Sequence, residues 1–182
     1  MDRIINIIKF FIIIIFIGCN SSKDSEWIYI FDGKTTDGWR GYNKETLPKK
    51  WEVINGELTF NTELKLEKDW DGGNDIIYYK EQFENFELYL EWKLPKGGNS
   101  GVFYHVQEGY NAPHNISPEY QILDDDGWEE INNAKLKNWQ KAGANYGMHE
   151  PNISKKLNPS GQWTSSRICL LYTSPSPRDL RK

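Results

Sequence analysis

Side chains that transfer protons or bind oxygen fall on two short segments with alternating polarity. In residues 102–107, a strand with Val102, Tyr104 and Val106 facing inward would put Phe103 and His105 on the ligand-facing side. In residues 119–123 the same alternation puts Glu119 and Gln121 on one face. A carboxyl, an amide and an imidazole on neighbouring strands can abstract a proton, bind an oxygen and return the proton. The alternative is that they are solvated residues of an outer face.

The acidic run 124–127 directly follows the second of these segments. Its three carboxylates could bind Ca²⁺, but the run lacks the ligand spacing and the distal Glu of an EF-hand loop. We therefore expect an Asp-rich turn from which Asp124 alone reaches the site. His114 and His149 have no metal-ligand spacing relative to His105, so no zinc site is predicted. The sequence predicts no cofactor and leaves open a divalent metal that binds substrate oxygens.

Several strands must position these side chains. In residues 51–60, Asn55-Gly56 separates two strand-like segments and predicts a hairpin with a type I′ turn. Residues 86–94 alternate apolar and polar side chains and give the clearest strand signal. A turn-rich connection, 95–101, then predicts that 102–107 returns beside that strand. Other predicted strands are 75–79, 119–123 and one beginning at 163–168.

Between Asp124 and Gly161 the pattern is polar and rich in Asn and Gly, with one helical turn predicted at 134–140. A connection of this length is typical of a functional loop. Together the segments predict an all-β sandwich of short antiparallel strands in a single domain.

Charge and aromatic content narrow the classes of partner. The chain has a net charge of −4 although both of its ends are net positive, so the middle is more acidic still. Nucleic acid is an unfavourable partner for such a surface, because its phosphates require clustered Lys and Arg. All eight tryptophans lie between Trp27 and Trp163. Trp and Tyr at this density suit a packed β-core and also the apolar face of a sugar ring.

The first residues have the organisation of an export signal. Arg3 and Lys9 precede an apolar run, 10–17, which ends at Gly18-Cys19. Eight apolar residues are too few for a membrane-spanning helix, which needs about 20. We expect a signal peptide over 1–18, lipidation of Cys19 and a flexible tether over 19–26. The protein would then be exported and anchored to the cell membrane or outer membrane, facing the periplasm or the cell surface. An ordinary signal peptide with an incidental cysteine is the alternative.

The other end of the chain is predicted to lie outside the domain. Cys169 is the only other cysteine, which leaves no disulfide framework. Residues 169–182 resemble a translated sequencing adapter, and Pro175 and Pro177 forbid continuation of a central strand. The predicted domain is therefore 27–168, truncated at its C-terminus, with a non-native tail over 169–182. A genuine disordered tail is the alternative.

Five segments in one order, 31–39, 51–59, 86–105, 118–125 and 161–168, resemble the 3-keto-disaccharide hydrolase family, formerly the domain of unknown function DUF1080. The resemblance rests most on Gly-Gly-Asn-Ser-Gly at 97–101 together with Pro-Glu-Tyr-Gln at 118–121. It implies a concanavalin-like jelly-roll β-sandwich, export, and action on glycosides that a partner oxidoreductase has oxidised at C3. The family continues with further strands and a late Asp-His-Gly segment, which this chain does not reach.

The resemblance also implies a chemistry. A ketone at C3 acidifies the C2 proton of the sugar, so the C1 substituent can leave by elimination and water can add back. Such a site needs a base, an acid and donors for the enolate oxygen. The hypothesis gives each group a residue: His105 or Glu119 as base and acid, Asp124 as an orienting or acid group, Asn99 and Gln121 on oxygens, and Phe103 and Tyr146 in substrate binding.

Two other functions fit the same residues. A conventional glycoside hydrolase would use two carboxylates, such as Glu119 and Asp124, on an unoxidised sugar. A lipid-anchored carbohydrate-binding module would use the aromatic side chains to hold glycans without chemistry.

Overall fold

The computed structural model describes residues 27–66 and 75–171. The predicted signal peptide, the tether with Cys19 and the tail from residue 172 onward lie outside this part. Eight strands are present in it: β1 Trp39–Gly41, β2 Trp51–Ile54, β3 Glu57–Phe60, β4 Ile76–Tyr78, β5 Phe86–Trp92, β6 Asn99–Phe103, β7 Glu119–Leu123 and β8 Thr164–Leu170. The same residues contain one α-helix, α1 Asp125–Asn132, and two short 3-10 helices, Pro113–Asn115 and Asn138–Gln140. All strand pairs are antiparallel, so the all-β class is confirmed. The jelly-roll topology stays a prediction.

The pair β2–β3 is the hairpin that the sequence predicts. Its register runs from Trp51 opposite Phe60 to Ile54 opposite Glu57. Asn55 and Gly56 have φ angles of 53° and 85°, as a type I′ turn requires. The Trp51 and Phe60 rings pack edge to face with centroids 5.4 Å apart.

The pair β5–β8 is the longest in the described residues, with seven residues in each strand. The predicted strand at 86–94 is confirmed as far as Trp92, whose indole Nε1 donates to Ser166 Oγ at 2.8 Å. Its partner β8 begins at Thr164, within the predicted segment, and continues through Leu170. The strand therefore extends two residues past the predicted domain boundary at Ile168.

The pairing of β6 corrects the sequence prediction. Residues 102–107 do not return beside β5; β6 runs from Asn99 to Phe103 and pairs with β7, while β5 pairs with β8. The strand stops because His105 has a φ of 54°, a left-handed conformation that extended backbone does not contain. The prediction of β7 at 119–123 is confirmed.

The two faces of the β6–β7 pair differ in what covers them. Tyr120 lies on the face toward β8, where its hydroxyl donates to Ser166 Oγ at 2.8 Å. Glu119, Gln121 and Leu123 lie on the other face because strand side chains alternate. Leu123 packs at one end of that face in a buried cluster with Leu136 and Ala142. The segment that carries Leu136 and Ala142 thus covers one end of this face and leaves the other end open.

The acidic run forms a helix rather than the predicted turn. Asp124 is the N-cap of α1, and Asp125 and Asp126 lie in its first turn, where carboxylates are favoured by the helix dipole. Asn133 ends the helix in the left-handed conformation. The predicted helical turn at 134–140 is confirmed by the 3-10 helix Asn138–Gln140.

None of the helices in residues 27–66 and 75–171 has the length and apolar character of a membrane-spanning segment.

Candidate functional site

An open groove with a volume of about 430 Å³ lies over the uncovered end of the β6–β7 pair. This volume falls in the range of small-molecule sites, about 300–1,000 Å³. Its lining combines carboxyl, imidazole, amide and hydroxyl groups with apolar side chains. The lining residues are Asn99, Phe103, His114, Ser117, Pro118, Glu119, Gln121, Tyr146 and Met148.

Strand register explains why the polar residues converge. In β6–β7, Phe103 is opposite Glu119, Gly101 opposite Gln121, and Asn99 opposite Leu123. Residues directly opposite each other in an antiparallel pair project to the same face. The predicted shared face of Glu119 and Gln121 is therefore confirmed, and Asn99 and Phe103 join it from β6.

Residues 143–149 form the wall along the free edge of β7. Gly143 N donates to Gln121 O at 2.8 Å, and Gln121 N donates to Ala144 O at 3.0 Å. Tyr146 N then donates to Glu119 O at 2.9 Å. These backbone bonds fix Tyr146 beside Glu119, and the Trp139 ring supports it edge to face at 5.5 Å.

Glu119 is the titratable group whose environment best suits proton transfer. Burial raises the pKa of the Glu119 carboxyl above the usual glutamate value, the charge of His114 opposes this rise, and Asp75 adds to it. No hydrogen-bond donor of the described residues contacts the carboxylate. A carboxyl with a raised pKa is a better general acid and base near neutral pH.

Gln121 is placed to bind rather than to titrate. Its side chain is only 4% exposed, and its Nε2 donates to Gln140 O at 3.3 Å. This contact fixes the amide plane at the floor of the groove. A fixed amide binds an oxygen without reorganisation when a ligand enters.

The sequence prediction missed His114 and Ser117. The 3-10 helix Pro113–Asn115 begins with a buried proline and carries His114 at the rim of the groove. Ser117 Oγ is buried there without a hydrogen-bond partner in the described residues. Their one sequence signal is position, because both fall within five residues upstream of Glu119 in a Pro-bounded loop.

The structure does not bring His105 to the groove. Its positive φ and its exposed side chain place it beyond the end of β6, so the predicted strand face for His105 is wrong. The alternation argument fails because it assumes extended backbone through residue 107.

Asp124 is also absent from the groove, which corrects the expectation that it reaches the site. Its carboxylate accepts from Gly97 N at 2.8 Å and from Gly127 N at 3.4 Å. The Asp124 side chain therefore joins the turn before β6 to the start of α1. It lines a separate cavity of about 20 Å³, too small for a sugar.

Of the seven residues predicted for catalysis or substrate binding, five thus meet in one groove: Asn99, Phe103, Glu119, Gln121 and Tyr146. Among the described residues, no cluster of three or more His, Cys, Asp or Glu side chains could hold a metal ion. The arrangement can move a proton at Glu119, bind oxygens at two amides and cover an apolar ligand face with two aromatic rings.

Comparison with known proteins gives matches to a family model, to a curated relative and to solved structures. A family model described as the 3-keto-alpha-glucoside-1,2-lyase-like domain matches residues 26–172. A 3-keto-disaccharide hydrolase of Bacteroides thetaiotaomicron is 42% identical over 153 residues, which are 78% of this chain and 51% of that protein. The crystal structure of a candidate glycosyl hydrolase from Parabacteroides distasonis is 36% identical, with a TM-score of 0.64 over 78% of this chain and 63% of that one. The chain thus spans about half the length of the curated relative.

Proposed function

Because this chain belongs to the 3-keto-alpha-glucoside-1,2-lyase-like domain family, we propose that its groove cleaves the glycosidic bond of 3-keto-disaccharides. The observation that carries the proposal is the half-buried Glu119 carboxyl, whose pKa is raised by burial, among two amides and two aromatic rings. The name of the 42%-identical relative supplies the substrate class.

The first step is removal of the C2 proton. The neighbouring C3 ketone accepts the electron pair of the C2–H bond, which gives an enolate with its charge on the ketone oxygen. Glu119 is the proposed base, because it lies in the groove and no donor in residues 27–66 and 75–171 lowers its basicity. Asn99 and Gln121 are the proposed donors to the enolate oxygen.

The second step breaks the C1–O bond. The enolate electrons form a C1–C2 double bond, and the departing glycosidic oxygen takes a proton from an acid. Water then adds at C1 of the enone and a proton returns to C2, so the net reaction consumes one water. His114 is the proposed second proton-transfer group in place of His105, because it lines the groove.

The aromatic walls suit a sugar. Phe103 and Tyr146 flank the Glu119 carboxyl on the groove surface. An aromatic ring covers the C–H face of a pyranose while its hydroxyls bind amides and carboxyls at the edges. We propose that these rings hold the ring that carries the ketone.

The conventional two-carboxylate mechanism is less well supported. It needs a second carboxylate across the scissile bond from Glu119. The proposed partner, Asp124, instead accepts from two backbone N–H groups outside the groove.

The location and the supply of substrate are further proposals. A lipid on Cys19 would hold the domain at a membrane surface, and a 3-dehydrogenating oxidoreductase would supply its substrate. The charged, apolar and Gly-Cys segments of residues 1–19 support the anchor. Labelled palmitate should be incorporated by the wild-type chain in bacterial cells and not by Cys19→Ser; incorporation into both would contradict the anchor.

Incubation of the full chain with one disaccharide in its 3-keto and unoxidised forms tests the function. We expect cleavage of the 3-keto form only, and loss of cleavage in Glu119→Gln. Cleavage of the unoxidised form would favour the two-carboxylate hydrolase. Binding of both forms without cleavage would favour the carbohydrate-binding module.

A further inference from the structure

Gly101 is the one position on the groove face of β6 without a side chain. It lies between Asn99 and Phe103 on that face, directly opposite Gln121. A Cβ built on Gly101 would lie 2.7 Å from Glu119 Cδ and 2.8 Å from Glu119 Cγ, and closer still to Oε1. Real Cβ atoms essentially never approach other heavy atoms below 3.0 Å. The Glu119 side chain therefore occupies the space that any other residue at 101 would fill.

Backbone conformation does not require this glycine. Gly101 is absent from the residues with positive φ, so an alanine could adopt its backbone conformation without strain. A glycine inside a strand weakens it, because it orders a flexible residue and packs no side chain. Its presence in β6 is explained by the close approach of Glu119.

We propose that Gly101 is a positioning residue whose bare Cα forms the slot that holds the Glu119 carboxylate against the sheet. The slot has two effects. It keeps the carboxylate partly out of water, and it fixes the distance between the carboxylate and a sugar in the groove. This inference rests on the proposed function only where it concerns turnover, because the slot itself is a property of the β6–β7 pair.

A methyl group at 101 would push the Glu119 side chain outward into the groove. The carboxylate would then gain solvent, which favours its charged form. A shift of about 1 Å in a reacting group can lower a rate by about 10²-fold. Gly101→Ala should thus change both the titration of Glu119 and the turnover.

The first measurement is an NMR titration of the Glu119 side-chain carboxyl in the full chain. We expect a pKa above the usual glutamate value in the wild type, and a lower pKa in Gly101→Ala. Ser100→Ala is the matched control, because Ser100 is the neighbouring strand residue and pairs with Ile122 on the opposite face. An unchanged Glu119 pKa in Gly101→Ala would overturn the proposal.

The second measurement is a double-mutant cycle for stability. Urea unfolding would be compared for Gly101→Ala in the wild type and in Glu119→Ala. The proposal predicts that the alanine at 101 is destabilising only while Glu119 keeps its full side chain. If Gly101→Ala fails to fold and the double variant folds like Glu119→Ala, the slot is supported. An equal loss in both backgrounds would overturn it.

Turnover of a 3-keto-disaccharide completes the test. We expect kcat of Gly101→Ala to fall about 10- to 100-fold with the Glu119 limb of the pH profile moved to lower pH. Ser100→Ala should keep the wild-type kcat and leave the pH profile unchanged. If the wild type cleaves no 3-keto-disaccharide, the proposed function fails, while titration and unfolding still decide the role of Gly101.

Discussion

Two carboxylates five residues apart, Glu119 and Asp124, each lie over a glycine but have different roles. Glu119 begins β7 and lies over Gly101, while Asp124 follows β7 and lies over Gly127, where a built Cβ would be 2.9 Å from Asp124 Cγ. Asp124 accepts from two backbone N–H groups. Glu119 has no such donor in the described residues and faces an open groove.

Donors therefore separate a structural carboxylate from a reactive one. Backbone N–H groups that point at a carboxylate hold it in place and use its lone pairs. Burial without donors disfavours the charged form of a carboxylate, which is why the pKa of Glu119 is raised. In the sequence the two residues look alike, since each is an acid at an end of the same strand.

The largest expected effect separates the two carboxylates by kinetics. Glu119→Gln should lower kcat on a 3-keto-disaccharide by about 10²- to 10⁴-fold, because an amide cannot take the C2 proton. Asp124→Asn is the matched control, since asparagine also caps helices and should keep near-normal turnover. A greater kcat loss in Asp124→Asn than in Glu119→Gln would reverse the assignment.

The next effect concerns the second proton-transfer group. His114→Gln should lower kcat by about 10²-fold, because an amide cannot transfer the proton. His105→Gln makes the same chemical change outside the groove and should leave kcat within about threefold of wild type. Equal losses in the two variants, or a loss only in His105→Gln, would return His105 to the mechanism.

For stability we expect the opposite order: substitution of Asp124 should cost more unfolding free energy than substitution of Glu119. Asp124→Ala should lower the free energy of unfolding by about 0.5–2 kcal/mol, because α1 loses its cap. Glu119→Ala should be neutral or stabilising, since it removes a partly desolvated carboxylate that has no donor in the described part of the chain. Urea unfolding of both variants at pH 7 measures this, and a less stable Glu119→Ala would contradict it.

Substitution of a third carboxylate, Glu108, should have the smallest effect, and the pKa of Glu108 is shifted in the direction opposite to that of Glu119. The guanidinium of Arg40 donates to both of its oxygens, at 2.6 and 2.5 Å, and holds the pKa of Glu108 below its usual value. A depressed folded-state pKa stabilises the fold above the unfolded-state value, and this stabilisation is lost as the pH falls through the folded-state pKa. Glu108→Gln should cost up to about 1 kcal/mol at pH 7 and less under acid. An undiminished cost at pH 2 would refute this reading.

Local signals made part of the fold and part of the site predictable. Asn55-Gly56 forces its hairpin by conformation alone, and alternation within 119–123 fixes the shared face of Glu119 and Gln121. Both depend only on neighbouring residues. Three consecutive acids are also a local signal for the helix start that Asp124 caps. The cap could not be predicted from them, because the same acids suit a turn or an ion site.

The remainder depends on contacts that sequence order does not reveal. The pair β5–β8 joins Trp92 to Thr164, so strand alternation could not show that β6 pairs elsewhere. One positive φ at His105 ends the strand on which its predicted role depended. His114 reaches Glu119 through the fold of a loop, and no spacing rule connects them.

Incorporation of solvent deuterium is the most direct test of the central claim. The full chain would cleave a 3-keto-disaccharide in D₂O, and the released 3-keto sugar would be examined at once by NMR or mass spectrometry. The same sugar without protein measures uncatalysed exchange. Elimination and hydration predict one deuterium at C2 of the product above that control. Retention of the original C2 proton during complete cleavage would contradict proton abstraction by Glu119.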